Sequence, residues 1–406
     1  MRCVIPACCG VSLTDPTFIC TSKATEAVGR CSTSTVMPFL KVSFCMREKV
    51  FKVYIMVMPM RHEVNALLRQ RGLDALVLVQ TMESPDSSFT YFTGVRRVTG
   101  CFVMTPKKQI VFVSPLEYGT AQHAVRVRDC RVMEKKTLQD VASLTGKRIG
   151  MNFEHLSVNA LRRVRKQLKR KRIVDASSFL REMRMVKRRD ELSLMQKACR
   201  ITDQIFTKVF RDARSVKTEE DMKALIEEEM LQHGVVPSFD PIVASGRNSA
   251  YPHHVSGKTR LRGMTIIDMG VKVHHYCSDI TRTVSFGQPT RRELDVYHHV
   301  KRVQETCVQM VKAGERFSVI HQYAARSIGK QMMHNIGHGL GVDVHEHPYP
   351  GKERGDDTLK ESMVITIEPG MYLEGKFGVR IEDDVVVGRE KRMLLSKTGK
   401  ELLVVS

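Results

Sequence analysis

Four carboxylates stand in or beside apolar, strand-like runs in the C-terminal half of this chain. Asp268 ends TIID, Glu368 ends VITIE, Glu382 lies within VRIEDDVVV, and Asp279 lies between Tyr276 and ITRTVSF. Strand interiors disfavour Asp and Glu, and a buried carboxylate costs several kcal/mol unless it is paired or holds a metal. One such group is explained by a core arginine. Four of them, together with His338 in the glycine-rich GHGLG segment, favour a metal site over structural ion pairing.

The ligand chemistry narrows the metal. Four carboxylates and one imidazole form a hard, oxygen-rich set that suits Mn²⁺ first, with Co²⁺, Zn²⁺ or Fe²⁺ as other candidates, and that disfavours copper. Four carboxylates over-neutralise a single divalent ion, so two ions sharing bridging carboxylates are expected. Such a pair generates hydroxide near neutral pH and polarises a carbonyl oxygen.

These residues sit in five segments. They are PIVASGRNSAYPHH (241–254), IIDMGVKVHHYCSDITRT (266–283), MMHNIGHGLGVDVHEHP (332–348), VITIEPGMY (364–372) and FGVRIEDDVVV (377–387). Their order and spacing resemble the creatinase/prolidase/aminopeptidase P/methionine aminopeptidase family, the M24 metallopeptidases, over residues 59–406. YFTG (Tyr91–Gly94) resembles the family's creatinase-type N-terminal domain, and LREMRMVKRRDEL its inter-domain helix.

The resemblance implies a fold of mixed class, α/β and α+β, in which a creatinase-like α/β domain precedes a pita-bread catalytic domain. It implies that Asp268 binds one metal, that Asp279 and Glu382 bridge both, and that His338 and Glu368 bind the second. Glu368 is also the candidate for proton transfer. His253 and His345 match substrate-facing histidines, and Arg380 an arginine near the active site, with His345 and Arg380 as candidates to hold a substrate carboxylate. Among the neighbours, His334 is read as either lining the site or packing in the core, and His254 and His347 as bystanders. His274 and His275 fall on a hairpin turn, and Thr281 is placed to orient a ligand.

The implied activity is dinuclear metal-dependent hydrolysis of the Xaa-Pro bond. Glu382 follows Glu368 by 14 positions, a spacing that resembles the compact loop of the short dipeptidases, so dipeptides are the favoured substrate. Aminopeptidase P chemistry on longer peptides is the alternative. A non-enzymatic pita-bread protein that binds peptide or nucleic acid is the distant one. A homodimer is implied by the same resemblance.

The rest of the chain bounds these expectations. Its 406 residues, 42% hydrophobic, exceed one typical domain. The expected division is an unstructured or mis-assigned extension over 1–58, an N-terminal domain over 59–180 and the catalytic domain over 185–406. No uncharged apolar run is long enough to span a membrane. The formal charge is +21, much of it in LRRVRKQLKRKR, Leu161 to Arg172. Without interleaved aromatics this run reads as a solvated helix face, and nucleic acid is not expected as a partner. The 11 cysteines show no paired C-x-x-C spacing, which suits a reducing, cytoplasmic setting.

Locally, HEVNALLRQRGL reads as an amphipathic helix, ALVLV as a buried strand, YFTG as a turn after a short strand, and CFVMT and QIVFVS as a hairpin. A long basic helix is expected to lead through IVDASSFLREMRMVKRRDELSLMQ into the second domain.

Overall fold

The computed structural model describes residues 61–351 and 357–406. The expectation for 1–58 lies outside them. The N-terminal part runs α1 (Arg61–Gln70), β1 (Ala75–Gln80), α2 (Ser87–Thr93), β2 (Gly100–Met104), β3 (Gln109–Val113), α3 (Pro115–Ala124), β4 (Asp129–Val132), α4 (Thr137–Leu144), β5 (Arg148–Met151), α5 (Val158–Gln167), β6 (Arg172–Asp175) and α6 (Ser177–Met185). Its strands form one sheet in the order β4-β3-β2-β1-β5-β6. The apolar run ALVLV is central: β1 pairs antiparallel with β2 and parallel with β5, and its successive residues are buried on both faces, as an unbroken hydrophobic strand requires.

Two local expectations change. YFTG is the end of helix α2, not a turn after a strand. Asp86 caps that helix by accepting from the Ser88 N–H, and Gly94 closes it in the left-handed conformation at φ 78°. The basic stretch is not one long helix. Its Val164 on α5 and Leu168 at the C-cap of that helix pack into the core beside Val77, Ile149 and Met151. The chain then turns into edge strand β6 before α6 begins.

The connecting helix α7 (Arg189–Asp212) buries Leu194, Met195, Ala198, Cys199, Thr202, Ile205, Phe206 and Val209, a stripe at three- and four-residue spacing. After it come α8 (Glu219–Gln232), β7 (Val236–Pro237), β8 (Ile242–Ser245), β9 (Gly263–Met269), β10 (Val271–Val273), β11 (Tyr276–Cys277), β12 (Ile280–Phe286), α9 (Arg291–Met310), α10 (Phe317–Ile328), β13 (Val364–Ile367), β14 (Gly370–Leu373), β15 (Phe377–Arg380), β16 (Asp383–Val386), β17 (Met393–Leu394) and β18 (Val404–Val405). The strands make sheets β18-β12-β9-β8, β13-β16-β17, β14-β15 and β11-β10-β7. Helices α9 and α10 cover the second of these, burying Val303, Cys307, Phe317 and Ile320 against Ile365, Ile367 and Val385. No described helix is long and apolar enough to cross a membrane.

Two antiparallel ladders position the acids. In β9–β12, Asp268 faces Thr281 and Met269 faces Ile280, so Asp279 sits one residue before the pairing. In β13–β16, Ile367 faces Asp383, so Glu368 and Glu382 sit one residue past its end. Glu382 is therefore in the break between β15 and β16, not inside a strand. The Glu382 N–H donates to the Thr281 carbonyl at 3.1 Å and ties the two ladders together.

Candidate metal centre

His338 reaches the acids because its segment lies along β13. Thr366 N–H donates to the His338 carbonyl at 2.8 Å, Leu340 N–H to Val364 at 3.0 Å, and Glu368 N–H to Ile336 at 2.8 Å. Glycine is needed for this approach: a Cβ on Gly337 would lie 2.0 Å from the Thr366 carbonyl oxygen, at φ +157°. The Thr366 hydroxyl accepts from the His338 N–H at 3.0 Å.

The six side chains form three overlapping groups: Asp279, His338 and His345; His338, Glu368 and Glu382; Asp268, Asp279 and Glu382. Within each group, one potential ligand atom per residue lies within 4.8 Å of the others. His338 Nε2 is 3.4 Å from Glu368 Oε1 and 3.7 Å from Asp279 Oδ2. His338 Nδ1 lies 3.1 Å from the Gly339 carbonyl oxygen, which places the proton on Nδ1 and leaves Nε2 free to bind.

Burial raises the carboxyls of Asp279 and Glu382 well above the usual range, and neighbouring acids raise them further: Glu382 and then Asp268 act on Asp279, Glu368 and then Asp268 on Glu382. Burial likewise pushes Glu368 up to about 8. Burial holds His338 down to about 3, helped by the nearby His345, so its imidazole is neutral, the form that binds a metal. Asp268 Oδ2 accepts from Arg380 Nη2 at 2.6 Å, while its Oδ1 is buried without a hydrogen-bond partner. Crowded acids that repel one another, an orphaned buried oxygen and a neutral imidazole together fit a pair of divalent cations.

Around this set, Thr281 donates its hydroxyl to Glu382 Oε2 at 2.7 Å and accepts from Arg380 Nε at 3.1 Å. Arg380 also donates to the Tyr372 hydroxyl at 3.0 Å and approaches the Pro252 carbonyl at 3.4 Å. Every nitrogen of its guanidinium is thus engaged with the protein itself. His345 is exposed, its ring edge-to-face with that of His338 at a centroid distance of 4.3 Å. His253 is exposed and close enough to act electrostatically on His334 and His345.

The ambiguous histidines separate. His334 lines the site: its Nε2 is 2.7 Å from the Tyr372 hydroxyl and its Nδ1 3.9 Å from Glu368. His254 pairs with buried Glu219 at 2.8 Å, and His347 approaches Arg181 at 3.3 Å, both away from the ligand groups. His274 and His275 occupy the β10–β11 turn at positive φ. Two contributors were not singled out from the sequence. Tyr372 follows PGM with no chemical flag. Asp384 carried the same signal as Glu382, an acid in an apolar run, but was hidden by its place in a run of three acids.

Residues 193–389 match metallopeptidase family M24, and residues 61–186 match the creatinase/prolidase N-terminal domain. The chain is 32% identical to an Xaa-Pro dipeptidase of Pyrococcus horikoshii over 84% of its own length and 97% of that protein. It is 31% identical to an Xaa-Pro dipeptidase of Pyrococcus furiosus over 77% of its length and 92% of that protein. Among solved structures, an X-Pro aminopeptidase of Thermotoga maritima superposes with a TM-score of 0.78 at 30% identity, over 85% of this chain and 99% of that one. The prolidase of Pyrococcus horikoshii superposes with a TM-score of 0.76 at 29% identity, over 84% and 99%. With carboxylates and imidazole gathered as a metal pair demands, and with relatives aligned over nearly their whole length, the chain belongs to metallopeptidase family M24 and carries the creatinase/prolidase N-terminal domain.

Proposed function

We propose that this protein is a dinuclear metal-dependent Xaa-Pro dipeptidase, with its domain division between residues 180 and 185. The observation that carries this reading is the overlap of the three ligand groups, which share Asp279, His338 and Glu382. In this reading Asp268, Asp279, His338, Glu368 and Glu382 would hold the pair, with Asp279 and Glu382 shared between the two ions. Manganese is the preferred metal, because the donor set is mostly carboxylate. When bound, such a pair supplies hydroxide near neutral pH and withdraws charge from the scissile carbonyl oxygen.

The substrate explains the need for this apparatus. The bond before proline is a tertiary amide without an N–H, so a site that grips the peptide through that N–H has nothing to hold. Glu368, partly open to the cleft with 17% of its side chain exposed, takes the proton of the attacking water as the C–O bond forms. It returns that proton to the proline nitrogen as the C–N bond breaks. His253 donates to the oxygen that gains charge. His345 is the group placed to receive the free carboxylate of a dipeptide. Arg380, buried against Asp268, orients that acid instead of reading the substrate.

The five described cysteines are free, which supports a cytoplasmic location, and a homodimer completes the proposal. The test is direct. After chelation, the chain is reloaded with Mn²⁺, Co²⁺, Zn²⁺ or Fe²⁺ and offered Ala-Pro, Met-Pro and a longer Xaa-Pro peptide. Metal-dependent cleavage, faster for the dipeptides, is expected. Faster cleavage of the longer peptide would make it an aminopeptidase of the Thermotoga type, and no cleavage with any metal would end the peptidase reading.

A further inference from the structure

His345 has an edge-to-face contact with His338 and no side-chain hydrogen bond of its own among the described residues. Its aim is therefore set by the backbone that carries it. That backbone is a closed loop: Gly339 N–H donates to the Pro348 carbonyl at 2.7 Å, and Glu346 N–H to the Gly339 carbonyl at 2.9 Å. The loop's two acids, Asp343 and Glu346, flank His345 and turn away from the ligand set, toward the N-terminal part and the linker that follows it.

Each acid is gripped there. Asp343 Oδ2 accepts from Arg184 Nη1 on α6 at 3.1 Å, and Arg96 stands 3.8 Å from its Oδ1. The Ser87 hydroxyl, in the first turn of α2, donates to the same Oδ1. Glu346 Oε1 accepts from Lys187 Nζ at 2.8 Å, with both side chains almost wholly buried, at 1% and 3% exposure. Arg184 Nη2 lies 3.9 Å from Glu346 Oε2, so one guanidinium spans both acids. A Cβ on Gly341 would sit 2.3 Å from Glu346 Oε1, so the loop is cut to admit this carboxylate.

We infer that the N-terminal domain and its linker position the substrate-facing histidine, with Arg184 and Lys187 acting through Asp343 and Glu346. These four are positioning residues, and the inference rests on the peptidase reading for the role of His345. Buried pairs of this kind add little net stability, but removing one partner leaves a desolvated charge and moves the segment that carries it. A displacement near 1 Å at a binding group has large kinetic effects.

The experiment compares Arg184→Gln, Asp343→Asn and the double variant as metal-loaded full-length proteins, with Arg71→Ala as a control that removes only the exposed 2.8 Å pair with Glu182 on α6. Each single variant is expected to raise KM for Ala-Pro by roughly ten-fold, with a smaller change in kcat. The double variant should fall short of the combined effect of the singles, because the two share the Arg184–Asp343 contact. Arg71→Ala should leave KM alone. Hydrogen exchange supplies the second readout: the amides of Leu340, Gly341 and Glu346 should exchange faster in the variants, while β9 and β12 stay protected and the metal content is unchanged. If Arg184→Gln does not fold, Arg96→Ala loosens the same acid from a more exposed position and should give the same pattern in weaker form. Unchanged exchange in the loop overturns the inference whatever the activity. Faster exchange without a change in KM overturns the link to His345. A wild-type protein inactive on all Xaa-Pro peptides removes the peptidase reading, and the role of His345 with it, while the exchange result still decides whether the loop is clamped.

Discussion

The backbone N–H of Asp279 donates to Oδ2 of Asp384 at 3.0 Å, so an acid outside the candidate ligand groups anchors the main chain of one inside them. The same oxygen accepts from the Cys199 thiol on α7 at 3.2 Å, and a second bond from α7, Thr202 to Ser278 at 2.8 Å, holds the residue before Asp279. The connecting helix thus reaches the candidate metal centre through two neighbouring residues.

That arrangement separates two substitutions at Asp384. Asparagine keeps an acceptor for the Asp279 amide, and its Mn²⁺ affinity should stay within about three-fold of wild type. Leucine strands a buried N–H, which costs about 1–3 kcal/mol of stability. Losing the anchor should also weaken Mn²⁺ binding by about 10–100-fold, the usual effect of disturbing a partner behind a ligand. Calorimetric titration with Mn²⁺ and thermal unfolding measure both. Equal affinities in the two variants would contradict the anchoring role.

Metal removal should make stability depend on pH in a particular window. In the metal-free protein, burial pushes Glu368 and Asp384 up to about 8, and burial with like-charge repulsion raises Asp279 and Glu382. These groups hold protons in the folded state that the unfolded chain has released above about pH 4, so folding loses stability as pH rises toward 8. His338 and His334, held by burial down to about 3 and about 4, act oppositely, but only up to the unfolded histidine value of about 6.5. Between pH 6.5 and 8 the carboxyls act alone. The metal-free chain should then lose stability with rising pH, more steeply the more carboxyls are still protonated. Stabilisation by Mn²⁺ should grow over the same interval, because the ligands must shed their protons to bind. Denaturant midpoints with and without chelator measure this, and a metal-free stability that rises from pH 6.5 to 8 would count against it.

The acids were legible in the sequence because they break a rule: TIID, VITIE and VRIED put charge where a strand is apolar, and only a ligand or a partner repairs that. His338 was legible through the glycines around it, which the close approach to Thr366 requires. What was not legible depends on partners distant in sequence. YFTG reads as a turn after a strand because Gly94 follows Tyr, Phe and Thr, which favour strands, yet Asp86 and Gly94 cap a helix there and burial of the whole of α2 overrides propensity. Arg380 looked available to a substrate because only the fold brings Asp268, 112 positions away, against its guanidinium.

Arg380 therefore makes a sharper prediction from the structure than from the sequence. Arg380→Ala leaves Asp268 buried without its cation, and breaking such a pair costs about 3–5 kcal/mol. A role in holding a substrate carboxylate would raise KM for dipeptides. The contacts instead point to weaker metal binding, with the KM of fully loaded enzyme little changed. Arg380→Lys should recover part of the affinity, because one ammonium reaches Asp268 but cannot also serve Thr281 and Tyr372. Metal titration beside steady-state kinetics at saturating Mn²⁺ separates the two outcomes. A large KM effect at full metal loading would return Arg380 to the substrate.

Thr281 offers the cleanest dissection, because a single hydroxyl touches both halves of the site. It donates to Glu382 and accepts from Arg380, and its backbone faces Asp268 across the ladder. Valine keeps the β-branched shape that suits the strand and removes only the hydroxyl. Thr281→Val should therefore fold normally, lose about 1–3 kcal/mol of stability, and bind Mn²⁺ about 10–100-fold more weakly. Thr281→Ser restores the hydroxyl without the methyl, so it should regain metal affinity while losing some packing. If Ser and Val behave alike, the side chain matters only as a strand residue. If Ser alone recovers binding, the hydroxyl sets the orientation of Glu382, and the β9–β12 ladder holds a ligand that belongs to the neighbouring sheet.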